Sequence, residues 1–592
     1  MKSLKKQVIV AVLSVPILLS SLGGSYVNAA STPATVTPPS APSWGYFVDN
    51  YKNNKAENKT VDSNPALGLL SEFNNLWTAG TTWNTGTKLN DSVLNLNILK
   101  VFNTSVRRTA EEADAAYLDD RRKQSYSVID GLGSLADTYR AKAEATTTIK
   151  DVAADATTQK YSDEGNNAGS EDSELGNMVG LINTLRGTYS TTNPAKAYFN
   201  YPRPFRWVDN SLVVSTLIPV QNSDPSNDGG FPSGHTNAAY LSAIAMAYAV
   251  PERYQELLTR ASDLGNSRIV AGMHSPLDVM GGRVMATALS AAILSDPDNN
   301  SLKTAAYQEA HSELLTQTAT ATATDLYSDY VTNKKNYTDR LTYGFSQIGS
   351  TTSPMIVPKG AEVLLETRQP YLDSTQRRWV LATTGLPSGY PVLDDAEGWG
   401  RLNLYAAADG YGALVDNVTV TMDAQKGGFH ALDSWRNNIS GVGKLTKKGT
   451  GTLKLEGNNT YSGGTLIEQG ILQGDSKTAF GTASVTNNGG TLLESVEGQL
   501  IIGENYQQSA KGTLELSIGS KNDLLHIKKV ASFNGKLRLN FTDGYVPVNG
   551  TSIITFDKQE GSFSDIETVG LPSTYKVKVV YASKSVQIEV SK

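Results

Sequence analysis

From about Asn417 no helical period survives, and the chain becomes short runs of alternating residues set between Gly and Asn. Gly449-Thr-Gly-Thr-Leu-Lys-Leu-Glu-Gly457, Gly489-Gly-Thr-Leu-Leu493, Gly512-Thr-Leu-Glu-Leu516 and Gly535-Lys-Leu-Arg-Leu539 repeat one theme with one apolar face. A strand of this kind cannot bury its apolar face alone, so the repeat predicts an all-β domain over residues 417–592.

The chain before it reads differently. From about Leu67 to Ile149 the pattern is helical: Leu94, Ile98, Val101 and Phe102 recur at intervals of three and four, as do Val128, Ile129, Leu132 and Leu135. The mixed charges Arg107, Arg108, Glu111, Glu112, Asp119, Asp120, Arg121 and Arg122 read as a solvated helix face. Asp151 to Glu174 is polar and reads as an exposed loop or frayed helix. Helices are expected over Thr236–Val250, Tyr254–Leu264 and Val279–Leu294, and again from Leu302 to about Gln347, where the low-complexity segment Thr316–Thr324 interrupts. Residues 354–412 are aromatic and rich in Gly and Pro, and Pro387-Ser388-Gly389-Tyr390 reads as a turn.

At 592 residues the chain calls for several domains. Lys2, Lys5 and Lys6 precede an apolar run from Val8 to Leu22, and Val27-Asn28-Ala29 offers small residues for cleavage, so residues 1–29 read as an export signal and 30–45 as a Ser/Thr/Pro linker. No later segment is expected to reach bilayer-spanning length, Ala238–Val250 being the best candidate and too short. The absence of cysteine excludes disulfides and thiolate metal sites. A formal net charge of −6 opposes nucleic-acid binding, so an anionic ligand must be attracted locally.

Such local attraction is offered by three blocks between Lys196 and Asp278. They are Lys196-Ala-Tyr-Phe-Asn-Tyr-Pro-Arg203-Pro204, Pro232-Ser233-Gly234-His235, and Ser267-Arg268-Ile-Val-Ala-Gly-Met-His274-Ser-Pro-Leu-Asp278. Lys196, Arg203 and Arg268 are cations able to neutralise phosphoryl oxygens, in place of a metal. Ser233 and Gly234 open a helix, whose terminal N–H groups favour an anion. His274 fits a nucleophile oriented by Asp278, and His235 fits the acid that protonates the leaving group, which implies an acidic optimum. Each block also has a plain structural reading. Ser275-Pro276-Leu277-Asp278 is a helix start with its own capping box, and Pro-Ser-Gly-His is an ordinary helix entry. The Asp224 and Asp228 spacing resembles a calcium loop without its flanking ligands and reads as a rim loop.

Taken together, Lys-x6-Arg-Pro, Pro-Ser-Gly-His and Ser-Arg-x5-His-x3-Asp resemble the type 2 phosphatidic acid phosphatase superfamily, which includes bacterial class A nonspecific acid phosphatases and vanadium haloperoxidases. The resemblance implies a helical-bundle domain, assigned to residues 46–416. It implies that Lys196, Arg203, Ser233, Gly234 and Arg268 bind phosphate, with His235 as acid and His274 as nucleophile. Separately, the stretch from Gly441 to Leu466 resembles the β-strand repeat of autotransporter passenger domains, which stack into a β-helix; no barrel pattern follows it, so secretion through a barrel of its own is not expected. The expected protein is a multidomain, exported phosphoric monoester hydrolase, periplasmic, surface-bound or secreted. It acts on small phosphomonoesters without metal or cofactor, and its β domain is free for display or cell-surface contact. Three alternatives use the same residues: a vanadium-dependent haloperoxidase with vanadate as cofactor rather than inhibitor, a lipid phosphate phosphatase, and an adhesin carrying a relic domain.

Overall fold

The computed structural model describes residues 46–316 and 325–592; the expected signal (1–29), the linker (30–45) and all but the first residue of the low-complexity segment lie outside the described residues. The longer helices are α1 (Asp91–Arg107), α2 (Ala110–Arg121), α3 (Gly176–Leu185), α4 (Gly234–Ala249), α5 (Tyr254–Val270), α6 (Pro276–Ser295), α7 (Asn300–Glu309), α8 (Tyr330–Thr342) and α9 (Ser374–Thr384). α4 is central because it is apolar on every side: Ala238, Ala239, Ala243, Ala245 and Ala247 alternate with Leu241, Ile244 and Met246, and all are buried. Small side chains let α5 and α6 approach it closely.

Two expectations are corrected here. Bilayer-spanning length is not confined to the leader: α6 has 20 residues and is long and apolar enough by length and composition, more so than the Ala238–Val250 run. Pro276, Gly281-Gly282 and Arg283 break up its hydropathy to the eye, and the whole of its apolar window is buried inside the protein. Arg283 there donates to the carbonyl of Gly400 at 3.0 Å. In α1, the buried stripe is Val93, Leu94, Asn97 and Val101, while Phe102 is exposed. Asn97 displaces Ile98 from the core because its amide has partners there: Oδ1 accepts from the N–H of Leu277 (3.0 Å) and Nδ2 donates to the Tyr201 hydroxyl (3.4 Å).

The all-β expectation holds, and the strands stack as a β-solenoid. Leu432–Trp435, Thr452–Leu455, Ile471–Gly474, Thr491–Glu494, Thr513–Ile518, Lys536–Phe541 and Asp565–Val569 form one parallel sheet. Its register sets Leu453, Leu472, Leu492, Leu514 and Leu537 in one buried column. The four glycine-led copies supply all of these but Leu472. The missed copy, Gly470-Ile-Leu-Gln-Gly474, ends in glycine because a Cβ at Gly474 would meet Phe480 at 2.7 Å, and the Phe480 ring fills that volume instead. Intervening strands from Val418–Thr421 to Leu524–Phe533 form a second parallel sheet, and the antiparallel pair Lys576–Ala582 and Ser585–Ser591 closes onto its last strand, Thr551–Gly561.

The first coil is built into the helical part. Asp433, buried, accepts from Arg368 (2.8 Å) and from the Tyr371 hydroxyl (2.6 Å), and Trp435 Nε1 donates to that hydroxyl at 2.8 Å. Arg368 and Tyr371 come from the Gly/Pro-rich stretch, so this segment ties the solenoid to the helices. Removing one member of a buried pair strands the other charge, so Asp433→Ala is expected to cost about 3–5 kcal/mol of folding stability. Denaturant unfolding of the purified protein measures this, and an unchanged midpoint would contradict the account of the junction.

Candidate functional site

Aromatic side chains set the spacing of the first two cations. Between Lys196 and Arg203, Phe199 and Tyr201 insert into a cluster with Phe73, Trp77 and Phe231, in which Phe73 stacks on Phe231 with centroids 3.9 Å apart. Trp77 Nε1 fastens the carbonyl of Phe199 at 2.9 Å. Phe231 in turn leads directly into Pro232-Ser233, so one cluster positions both the cations and the start of α4. The Gly229-Gly230 turn lies close beneath: a Cβ at Gly229 would meet the Lys196 carbonyl at 2.6 Å. In that approach Lys196 Nζ donates to the carbonyls of Gly229 (2.6 Å) and Gly230 (3.3 Å).

His274 is delivered by the end of α5. Gly272 takes a left-handed φ of +73°, and a Cβ there would meet the Leu212 carbonyl at 2.2 Å, so only glycine allows the chain to double back. The N–H of His274 then donates to the Arg268 carbonyl at 3.1 Å, bringing the histidine beside the arginine of its own motif. Both ring nitrogens are engaged: Nδ1 lies 3.2 Å from Asp278 Oδ2, and Nε2 lies 2.9 Å from an Arg203 guanidinium nitrogen. A guanidinium only donates, so Nε2 is the lone-pair nitrogen and Nδ1 carries the proton toward Asp278. Burial, and then the charges of Arg203, Lys196 and Arg268, hold the imidazole well below the usual histidine range.

Asp278 satisfies the plain and the chemical reading of its motif at once. Ser275 caps α6, its backbone N–H donating to Asp278 Oδ2 at 2.8 Å, and that same oxygen faces His274. Burial raises the Asp278 carboxyl to about 6, opposed by the Ser275 N–H and by Lys196. Ser233 is the N-cap of α4; its Oγ accepts from Thr236 N (3.3 Å) and Thr236 Oγ1 (2.9 Å), and its N–H donates to the Asp278 carbonyl (2.8 Å). Gly234 is close to Lys196, since a Cβ there would lie 3.9 Å from Lys196 Cε. His235 follows on the first turn of α4, partly exposed, with Nε2 3.3 Å from the Asp120 carbonyl. Burial and Arg268 push its imidazole down to about 3. Lys196 is pushed down to about 7 by burial and then by Arg203.

The reading of the mixed-charge run as a solvated face is overturned at its centre. Asp119 and Asp120 are buried, and they hold both residues of the Ser267-Arg268 pair. Ser267 Oγ and Arg260 donate to Asp119 at 2.6 and 2.8 Å, and Arg268 pairs with Asp120. The signal was present in the neighbouring residues: Ala116 and Tyr117, three positions before Asp119 and Asp120 respectively, share the buried face of α2 and mark it as inward. In the rim loop, Asp228 accepts from Arg203 Nε (2.6 Å) and from Arg206 (2.7 Å), so its oxygens are spent on arginines. Among the described residues, no group of three or more His, Asp or Glu side chains is placed to hold a metal ion.

Basic side chains gathered at a helix N-terminus and backed by a His–Asp couple are chemically suited to an anion, and residues 177–301 match the PAP2 superfamily. Residues 445–473 match the passenger-associated-transport-repeat. The chain therefore joins a PAP2-superfamily domain to an autotransporter-passenger-like repeat. It is similar to a non-specific acid phosphatase of Salmonella typhi, 35% identical over 124 residues, which are 21% of this chain and 48% of that protein. It is similar also to the Neisserial autotransporter lipoprotein NalP of Neisseria meningitidis serogroup B, 32% identical over 218 residues, 35% of this chain and 19% of that protein. An extracellular serine protease of Serratia marcescens is 31% identical over 181 residues, 25% of this chain and 17% of that protein. The chain thus spans less than half the length of each of these relatives.

The His274 geometry has a direct spectroscopic consequence. With its imidazole held well below the ordinary value by burial and by the charges of Arg203, Lys196 and Arg268, His274 is expected to stay neutral, protonated at Nδ1, through the pH range in which an ordinary histidine takes up its proton. Nitrogen NMR of the labelled protein reads this; an imidazolium signal for His274 at pH 6 would contradict it.

Proposed function

We propose that the protein is an exported, metal-independent acid phosphatase that hydrolyses phosphomonoesters through a phosphohistidine on His274. The observation that carries this is the pair of contacts at His274, a lone pair at Nε2 within reach of Arg203 and a proton at Nδ1 facing Asp278. In this reading Lys196, Arg203, Arg268, the Ser233 hydroxyl and the N–H of Gly234 hold the phosphoryl oxygens, and Arg203 turns from Nε2 to the phosphate as the ester binds. Nε2 then bonds to phosphorus as the ester P–O bond breaks, and His235 gives its proton to the departing alkoxide. In the second half, water attacks phosphorus, loses its proton to His235, and leaves His274 free. Similarity to acid phosphatases and to exported proteins supports the activity and the destination, and the solenoid serves display or contact outside the cell.

The acidic optimum is retained with added participants. His235 is held low by burial and by Arg268; a substrate dianion set among three cations acts in the opposite sense, and its proton is needed only as the P–O bond breaks. Lys196 must be charged to bind the anion and Asp278 ionised to hold His274, and burial sets one at about 7 and the other at about 6.

Assay of the purified protein on a chromogenic phosphomonoester tests this. In the expected result kcat/KM is greatest between about pH 6 and 7, falls above as Lys196 loses its proton and below as Asp278 gains one, and survives a chelator. Activity that rises steadily into alkali, or that disappears with chelation, contradicts the proposal. Halogenation with peroxide, halide and vanadate in place of hydrolysis would make the domain a haloperoxidase.

A further inference from the structure

We infer that the site favours phosphomonoesters whose leaving group carries a second anionic group, held by Arg186 in a cavity that adjoins the phosphate cradle. This rests on the phosphatase reading above and names its substrate class. The cavity, about 240 Å³, is lined by Arg186, Ser190, Thr191, Thr192, Gly234 and Asn237 among others. Gly234 belongs to both spaces: it opens α4 beside Lys196, and a Cβ on it would lie 3.1 Å from Thr192 Oγ1 on the cavity side. A molecule with its phosphate at the head of α4 therefore has this cavity next to it.

Arg186 stands apart from the other arginines of the region. Arg203 and Arg206 share Asp228, Arg260 pairs with Asp119, and Arg268 pairs with Asp120. Arg186, just past the end of α3, donates to the neutral Ser125 hydroxyl at 3.1 Å, and among the described residues it has no carboxylate within ion-pair distance. Burial without a counter-charge pushes its guanidinium down from the ordinary value, yet a guanidinium keeps its proton at any physiological pH. Here a fixed positive charge with unused donors faces a cavity walled by hydroxyls. Asn237 adds an acceptor: its Nδ2 donates to the Ser190 carbonyl (2.8 Å), while its Oδ1 has no partner among the described residues. An anion flanked by a hydroxyl suits this set, with the anion on Arg186 and the hydroxyl donating to Asn237. The volume suits a compact group rather than a large ring system. A further cavity, also about 240 Å³ and lined by Tyr51 and Tyr189, shares Gly187 and Ser190 with the first, giving a longer leaving group somewhere to continue.

The test compares a sugar monophosphate with the bisphosphate of the same sugar. The wild-type protein is expected to show the higher kcat/KM for the bisphosphate. In Arg186→Gln the ratio of the two kcat/KM values should fall about tenfold or more, mainly through KM, the scale of a lost charge-assisted hydrogen bond. Arg186→Lys, which keeps the charge and loses the fork, should restore part of it. Equal use of both substrates by the wild-type protein overturns the inference without recourse to any variant, as does a ratio that Arg186→Gln leaves unaltered; in both cases the phosphatase reading stands. If the wild-type protein hydrolyses neither sugar phosphate nor the chromogenic ester, the phosphatase reading fails and the inference falls with it.

Discussion

One carboxylate oxygen, Oδ2 of Asp278, takes the backbone N–H of Ser275 and faces Nδ1 of His274. The same group therefore starts α6 and fixes the histidine's tautomer. Because α6 is buried from end to end and packs on α4, the imidazole takes its position from the middle of the core rather than from a loose loop. The Asp278 carbonyl extends the link by accepting from Ser233 at the head of α4. Moving Asp278 would thus disturb the helix cap, the His274 imidazole and the head of α4 together, as expected when a site is built on rigid elements.

Around that centre the positive charges are held by a ring of buried acids. Asp120 holds Arg268 and meets His235 through its carbonyl, Asp119 holds Ser267, and Asp228 holds Arg203 against Arg206. Guanidinium groups brought this close without partners would repel one another and pay for desolvation; paired, they keep a fixed geometry and still have donors to offer an incoming anion. Lys196 has only carbonyl partners in the described structure, and burial, followed by the charge of Arg203, lowers its proton affinity.

The three blocks were legible because the chemistry demands particular residue types in a fixed order, and the repeat domain because its leucines recur with the strands. Tertiary pairings between distant segments were not. The inward turn of Asp119 and Asp120 depends on α2 lying against α5, more than a hundred residues further on, and a run of mixed charges looks solvated until its partners are known. The Leu472 copy escaped because Phe480 substitutes for the side chain that Gly474 lacks. The role of the Gly/Pro-rich stretch escaped too: its Arg368 and Tyr371 make sense only against Asp433 of the first coil. α6 was underestimated as an apolar run because its one arginine and paired glycines interrupt the text, whereas in the fold Arg283 is answered by a backbone carbonyl.

The central claim is that His274 Nε2 becomes bonded to phosphorus. Rapid acid-free quenching during turnover of a radiolabelled phosphomonoester, followed by peptide mapping, tests it most directly. The account predicts an acid-labile phosphate on the peptide bearing His274, absent from His274→Ala together with turnover. Turnover by His274→Ala at a near-normal rate, or label on another residue, would contradict it.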